Sequence, residues 1–307
     1  MTAGAAKLTL GPLLFNWPAE ARRDFYFRVA EEAPVDSVCL GEVVCAKRAP
    51  FFAPYLPEVT ARLERAGKEV VHSTPALVTG EAERAALRDL AAEPDRFIEA
   101  NDVACLGLID ARPHAIGPFV NVYNEGTLAY LARRGAARVT LTFDLSRDSM
   151  QELAKAAGPV ELEVQVFGRT PLAISARCYH ARAHGLHKNS CQYVCADDPD
   201  GMGLDSLDSL PFLAVNGTQT LSYTIGNLVA ELDELRAMGI GRFRLSPQQA
   251  DMVAVAETFR AVLDRRQGPA EAAARLAELT PFAPFANGFY HGRPGMALVG
   301  GDMAQAE

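Results

Sequence analysis

The chain has no C-x-x-C pair, no G-x-G-x-x-G or phosphate-loop fingerprint, and no apolar run near the ~18 residues of a membrane helix. The first absence counts against the paired knuckles of familiar structural zinc sites. The second removes the usual signatures of open-sheet nucleotide binders, and the third excludes a helical membrane span. Basic charge is also in deficit. A formal net charge of -8 leaves no broad footing for nucleic acid or an anionic membrane. No linker-like change in composition and no internal repeat divides the chain. The apolar N-terminal stretch LTLGPLLFNW is preceded by one basic residue, Lys7, and followed by no small-residue cleavage site, so it reads as a first core strand rather than a signal peptide. The expected compartment is the cytoplasm, where thiols stay reduced and clustered cysteines more often bind metal than form disulfides.

What is present is a regular alternation. Short β-rich runs (KLTLGPLLF, SVCLG, EVVHST, DVACLGLI, FVNVY, ARVTLTF, VELEVQVFG, FLAVNG, FRLS) are separated by amphipathic helical stretches. Pro18 and Pro247 are expected at helix starts, Ser146 as an N-cap, and Thr79 or Gly80 near another cap. Roughly eight strands alternating with helices predict an α/β fold: a single (β/α)8-like, TIM-type barrel spanning 1–307, with a long cysteine-bearing insertion after a late strand. That insertion, 178–210, interrupts the rhythm.

The stretch from Glu161 to Cys195 holds three of the six cysteines, Cys178, Cys191 and Cys195, and three of the six histidines, His180, His184 and His187. So many soft ligands on a polar loop point to a metal centre, because exposed free thiols are oxidation liabilities. Cys191 and Cys195, four apart, would share one face of a helical turn. A fourth ligand is needed. Cys39 and Cys105 lie in apolar runs and read as buried small hydrophobes, whereas Cys45 follows the second strand in a polar loop at the functional end of a barrel. Cys45, Cys178, Cys191 and Cys195 are therefore the expected ligands. Their long-range spacing suits a cubane iron–sulfur cluster better than zinc, and zinc and the absence of any metal both stay open.

Other candidates have everyday readings beside the functional one. The three histidines read as solvated. Glu42 and Glu163 are potential acids or bases, or paired interior carboxylates, and Arg177, Arg244, Lys47 and Arg48 potential anion clamps or plain surface charge. The tail FAPFANGFYHGRPGM is expected to close the barrel, with a partner-facing surface as the alternative. No catalytic residue is assigned.

The segments LGEVVCAKR, NVYNEGTLAYL, FDLSRDSMQEL, EVQVFGRTPLAISARC, VNGTQTLS and FRLSPQ, with the Cys191 and Cys195 pair, occur together in an order that resembles the collagenase-like peptidase family, in its ubiquinone-biosynthesis branch. The resemblance implies a barrel and a [4Fe-4S] cluster on Cys45, Cys178, Cys191 and Cys195. It also implies a heterodimer with a UbiU-like partner from the same family. The implied role is oxygen-independent hydroxylation of a ubiquinone precursor lipid, with prephenate as oxygen donor. The wider family carries phenylalanine, histidine and a further cysteine near the EVQVFGRTP run, where this chain has Gln165, Phe167 and Pro171. A peptidase activity is not expected. Two alternatives stand beside it: RNA hydroxylation, as elsewhere in the family, and a non-catalytic scaffold stapled by its metal.

Overall fold

In the computed structural model, which describes residues 5–109 and 112–300, eight strands close into a parallel barrel. They are β1 (Lys7–Leu10), β2 (Ser37–Leu40), β3 (Glu69–Ser73), β4 (Phe97–Ala100), β5 (His114–Ile116), β6 (Ala136–Thr140), β7 (Glu161–Ile174) and, after three strands outside the barrel, β11 (Arg242–Leu245). Parallel pairing of β11 with both β1 and β7 shuts the ring. The predicted (β/α)8 class is therefore the observed one, although two of its strands are not those expected. DVACLGLI forms a 3-10 turn over Val103–Gly107, with Asp102 capping Ala104 N–H at 2.8 Å, and FVNVY forms a second over Pro118–Val120. Their places in the ring go to FIEA and HAI, segments of four and three residues, too short to show a period.

Among the described residues, ten helices surround or adjoin the barrel: α1 (Ala19–Glu32), α2 (Ala49–Phe52), α3 (Leu56–Arg65), α4 (Glu81–Ala91), α5 (Glu125–Arg133), α6 (Arg147–Ala156), α7 (Tyr179–Ala183), α8 (Leu232–Ala237), α9 (Met252–Leu263) and α10 (Pro269–Leu279). Helical periodicity explains the long ones. In α1 the buried residues Arg22, Tyr26, Val29 and Ala30 make one stripe against the barrel. Ser146 caps α6 by accepting from Ser149 N–H, and Gly80 and Pro18 stand at the caps of α4 and α1, as expected. Pro247 does not start α9; Asp251 does, its carboxylate accepting from Val253 and Ala254 N–H.

Period two along the strands sends leucines and valines outward to the helices and polar residues inward. Leu8, Leu10, Val38, Leu40, Val139, Leu162 and Val164 belong to the main apolar core. The intervening Thr9, Ser37, Glu99, Thr140, Glu163, Arg242 and Arg244 are buried and bonded to one another across the ring.

β7 runs well past the barrel, and its far half pairs antiparallel with β10 (Gln219–Asn227). β9 (Pro211–Asn216) pairs with β10, and β8 (Met202–Asp205) with β9. FLAVNG is thus a hairpin strand of this extension, not a barrel strand. The tail does not close the barrel: Phe285–Ala286 adds a short β12 to β10, and Tyr290 is buried beside it.

Candidate metal centre

The four expected ligand cysteines line one cavity of about 330 Å³, together with Lys47, Arg48, Lys188, Tyr193 and Gly217. Cys45 arrives on the loop after β2, where the Glu42 carboxylate accepts from Val44 and Cys45 N–H at 3.3 and 3.2 Å. Glu42 is itself paired with buried Arg22 at 3.4 Å, so its role is to fix this loop. Cys178 caps α7, its sulfur accepting from Ala181 N–H at 3.4 Å. Cys191 and Cys195 do not share a helical turn. Gln192 and Tyr193 between them are left-handed, at φ 49° and 56°, and throw the chain around so that both sulfurs still reach the cavity. Two such non-glycine residues in succession are a local cost that the surrounding bonds must sustain.

The electrostatics of the cavity are mixed. Burial pushes the thiols of Cys45 and Cys178 up, opposed by Arg48 at Cys45 and by Ala181 N–H at Cys178. Burial alone would weaken the charge on Arg48, but Glu42, Cys195 and Cys45 outweigh it. Asn16 Nδ2 donates to Cys195 Sγ at 3.3 Å, and Lys47 Nζ stands 4.0 Å from Cys191 Sγ. Any thiophilic group taken up here must therefore displace protons, with cations and N–H donors already placed to receive the sulfur charge.

What fastens Cys45 to the late cysteines is a turn that sequence reasoning passed over. Asn216 Oδ1 accepts from Arg48 Nη2 at 2.8 Å, while its Nδ2 donates to the carbonyls of Cys195 and Asp198 at 2.9 and 2.8 Å. Thr218 Oγ1 and Gln219 Nε2 donate to the Val44 and Leu14 carbonyls, and Lys47 Nζ to the Lys188 carbonyl. Gly217 begins the two-residue loop between β9 and β10 at φ +71°, and a Cβ there would lie 2.2 Å from Arg48 Nη2. The signal available in the sequence was Asn-Gly between two strand-like runs, a hairpin mark.

The remaining candidates separate cleanly. Glu163 and Arg244 lie in the barrel lumen as a buried pair, far from a clamp for a diffusing anion. Arg177, His184 and His187 are exposed, but His180 is fully buried, a correction to its solvated reading. Its Nδ1 lies 3.1 Å from the Val215 carbonyl and its ring stacks on His184 at 5.2 Å. Its Nε2 is 3.1 Å from Asp198 Oδ2 without reaching hydrogen-bond geometry. Cys39 and Cys105 are buried, the latter with burial lifting its thiol to about 11. Among the described residues no group of three or more His, Cys, Asp or Glu side chains is arranged to hold a metal ion.

A family model described as Peptidase family U32 matches residues 26–299, which takes in the seven barrel strands after β1 and all four cavity cysteines. The chain belongs to peptidase family U32. In this U32 family member, among the described residues, no serine or cysteine side chain is hydrogen-bonded to a histidine ring, the pairing by which a nucleophilic peptidase activates its attacking group.

Proposed function

We propose that this U32 family member is of the UbiV type: the iron–sulfur subunit of an oxygen-independent hydroxylase in ubiquinone biosynthesis, working with a UbiU-like partner on a ubiquinone precursor lipid, with prephenate as oxygen donor. The observation that carries the reading is the shared cavity, where Cys45 from the second loop faces Cys178, Cys191 and Cys195 from an insertion more than a hundred residues later. Four thiols lining one cavity supply the four-cysteine donor set that a cubane cluster takes.

A [4Fe-4S] cluster held by these cysteines would supply one-electron chemistry. The chain's own residues do the rest. Lys47, Arg48 and Lys188 offset the charge of the thiolates, and N–H groups of Asn16 and Ala181 donate to sulfur. Tyr193, edge-on to Phe51 at 4.7 Å, shields the cavity rim from water. The scaffold reading loses support from the same geometry, because Asn216, Thr218 and Lys47 already bind the two loops together.

Chain purified without oxygen should contain about four iron and four acid-labile sulfide, and Cys45→Ala should contain neither while keeping its circular dichroism. Wild-type protein lacking both overturns the cluster. A deletion strain with undiminished ubiquinone under anaerobic growth overturns the pathway.

A further inference from the structure

The segments that carry the four cysteines are basic in an acidic protein, and the function proposed above uses only part of that charge. In a chain of net charge -8, no aspartate or glutamate occurs between Glu42 and Glu58, nor between Glu163 and Asp197. These two stretches bring all four cysteines to the cavity. Their cations fall into two groups. Arg48 and Arg169 are buried and answered, the first by Asn216 and the Leu14 carbonyl, the second by Asp200. Lys47, Arg177, Arg182 and Lys188 have no ion pair among the described residues, where the pairs of this region are Arg169 with Asp200 and His180 with Asp198. Lys47 and Lys188 line the cavity itself. Arg177 and Arg182 are exposed beside it: Arg177 adjoins Cys178 in the chain, and Arg182 donates its backbone N–H to the Cys178 carbonyl at 3.2 Å. Like charges crowded on one rim repel each other and raise the local concentration of anions.

The middle of the rim is aromatic. Phe51 and Tyr179 are 49% and 51% exposed, and Tyr193 stands edge-on to Phe51 with the Lys47 ammonium 5.9 Å from its ring centre. Cys191 is half-buried, whereas Cys178 and Cys195 are buried, so the shallowest approach to the sulfurs is on the Cys191 side. Three kinds of anion could answer such a rim, and the geometry sorts them. A small anion needs a concave site, and the hollow here is the 330 Å³ space inside the thiols, which a cluster would fill. A nucleic acid needs a longer basic track, and Asp197 and Asp198 end this one just after Cys195. A folded protein with carboxylates around a small apolar contact needs neither.

We infer that this rim is the docking surface for a small acidic one-electron carrier protein, seated over the Cys191 side of the cavity with its carboxylates towards Lys47, Arg177, Arg182 and Lys188. The inference rests on the cluster reading of the four cysteines. The step it serves is a one-electron exchange: the reduced carrier loses one electron and a cluster on the cysteines gains it, with no bond made or broken and no proton moved. Electron transfer weakens steeply with distance, which favours docking over the shallowest sulfur. Encounters of this kind bury little area and take their speed and their salt dependence from charge.

The test uses iron-loaded chain purified without oxygen, an acidic plant-type [2Fe-2S] ferredoxin as probe, and a basic c-type cytochrome as control. Calorimetric titration should show ferredoxin binding that weakens by about tenfold or more between about 10 mM and about 0.5 M salt, and no binding of the cytochrome. The double variant Arg177→Glu, Arg182→Glu should weaken ferredoxin binding at low salt by about tenfold or more and slow electron exchange with it, while iron content and reaction with the small reductant reduced methyl viologen stay as in wild type. Arg133→Glu, an exposed position at the end of α5, should change none of these. Ferredoxin binding indifferent to the double variant overturns the site, and so does bound ferredoxin that exchanges no electron with the chain in either direction. Tighter binding of a single-stranded RNA than of ferredoxin would assign the rim to nucleic acid instead. Ferredoxin binding that disappears when the chain is in complex with a UbiU-like partner would make the rim a subunit contact and overturn the carrier. Iron-loaded wild type that binds no ferredoxin overturns the rim and leaves the cluster standing, whereas wild type without iron overturns the proposed function and the carrier with it.

Discussion

The lumen of the barrel and its C-terminal mouth are both polar, and they treat polarity in opposite ways. In the lumen every charge has a partner. Arg244 bonds to Glu163 and Glu99, Thr9 and Thr140 donate to Glu163, and Arg138 and Arg242 share Glu161 and Glu69. At the mouth the cysteine sulfurs and the left-handed Gln192 and Tyr193 are only partly answered by their neighbours. The closed network fixes a structure and offers nothing to a ligand; the incomplete one is where binding energy remains to be gained.

Breaking the lumen should therefore be a stability event. Arg244→Met leaves Glu163 and Glu99 buried without their cation and should cost about 3–5 kcal/mol in urea unfolding. The pH profile should report the same pair. Burial would raise Glu163, but Arg244, Arg138 and the Thr9 hydroxyl hold it down to about 2 against an ordinary 4.5. Its folded value is the lower one, so the stabilisation is complete above pH 4.5 and is lost as pH falls towards 2, a change on the order of 3 kcal/mol. In Arg244→Met this acid-limb slope should flatten or reverse. A wild-type slope that persists in the variant would place the titration elsewhere.

Gly217→Ala lies between the two regimes. The added methyl would meet Arg48 at a backbone angle that L-residues avoid, with an expected cost of roughly 2 kcal/mol by thermal unfolding. Because Arg48 would have to leave Asn216, the same variant should lose iron at the mouth, which no lumen variant that still folds should do.

The contrast also explains what could be read in the sequence. Amphipathic helices such as Leu56–Arg65 and the cap at Ser146 declare themselves locally, and so the barrel class was legible from alternation. FIEA and HAI were not, because the ring supplies on both sides the pairing that three or four residues cannot announce. Cys45 was singled out by its polar loop after a strand, and the structure brings it to the cavity of the other three. The inward Glu163 was anticipated as one of two options, yet its partner Arg244 is 81 residues away and pairing across a lumen leaves no local pattern. Asn216 was invisible for a different reason: an Asn-Gly dipeptide already has a sufficient explanation as a turn, and its four side-chain bonds exist only once Arg48, Asn16, Cys195 and Asp198 surround it.

The smallest expected effect on stability sharpens the comparison most. Asn16 Nδ2 donates to Cys195 Sγ at 3.3 Å from a half-buried position, and its removal in Asn16→Ala should change unfolding free energy by no more than about 0.5 kcal/mol. A hydrogen bond to sulfur draws electron density from it and favours the reduced, more negative form of a cluster. Asn16→Ala should therefore make the reduction potential of the anaerobically purified protein more negative, as read by redox titration, while the melting curve stays put. A mouth residue that moved the melting temperature and left the potential unchanged would belong with Arg244 and Glu163, and the division between a structural lumen and a chemical mouth would fail at that residue.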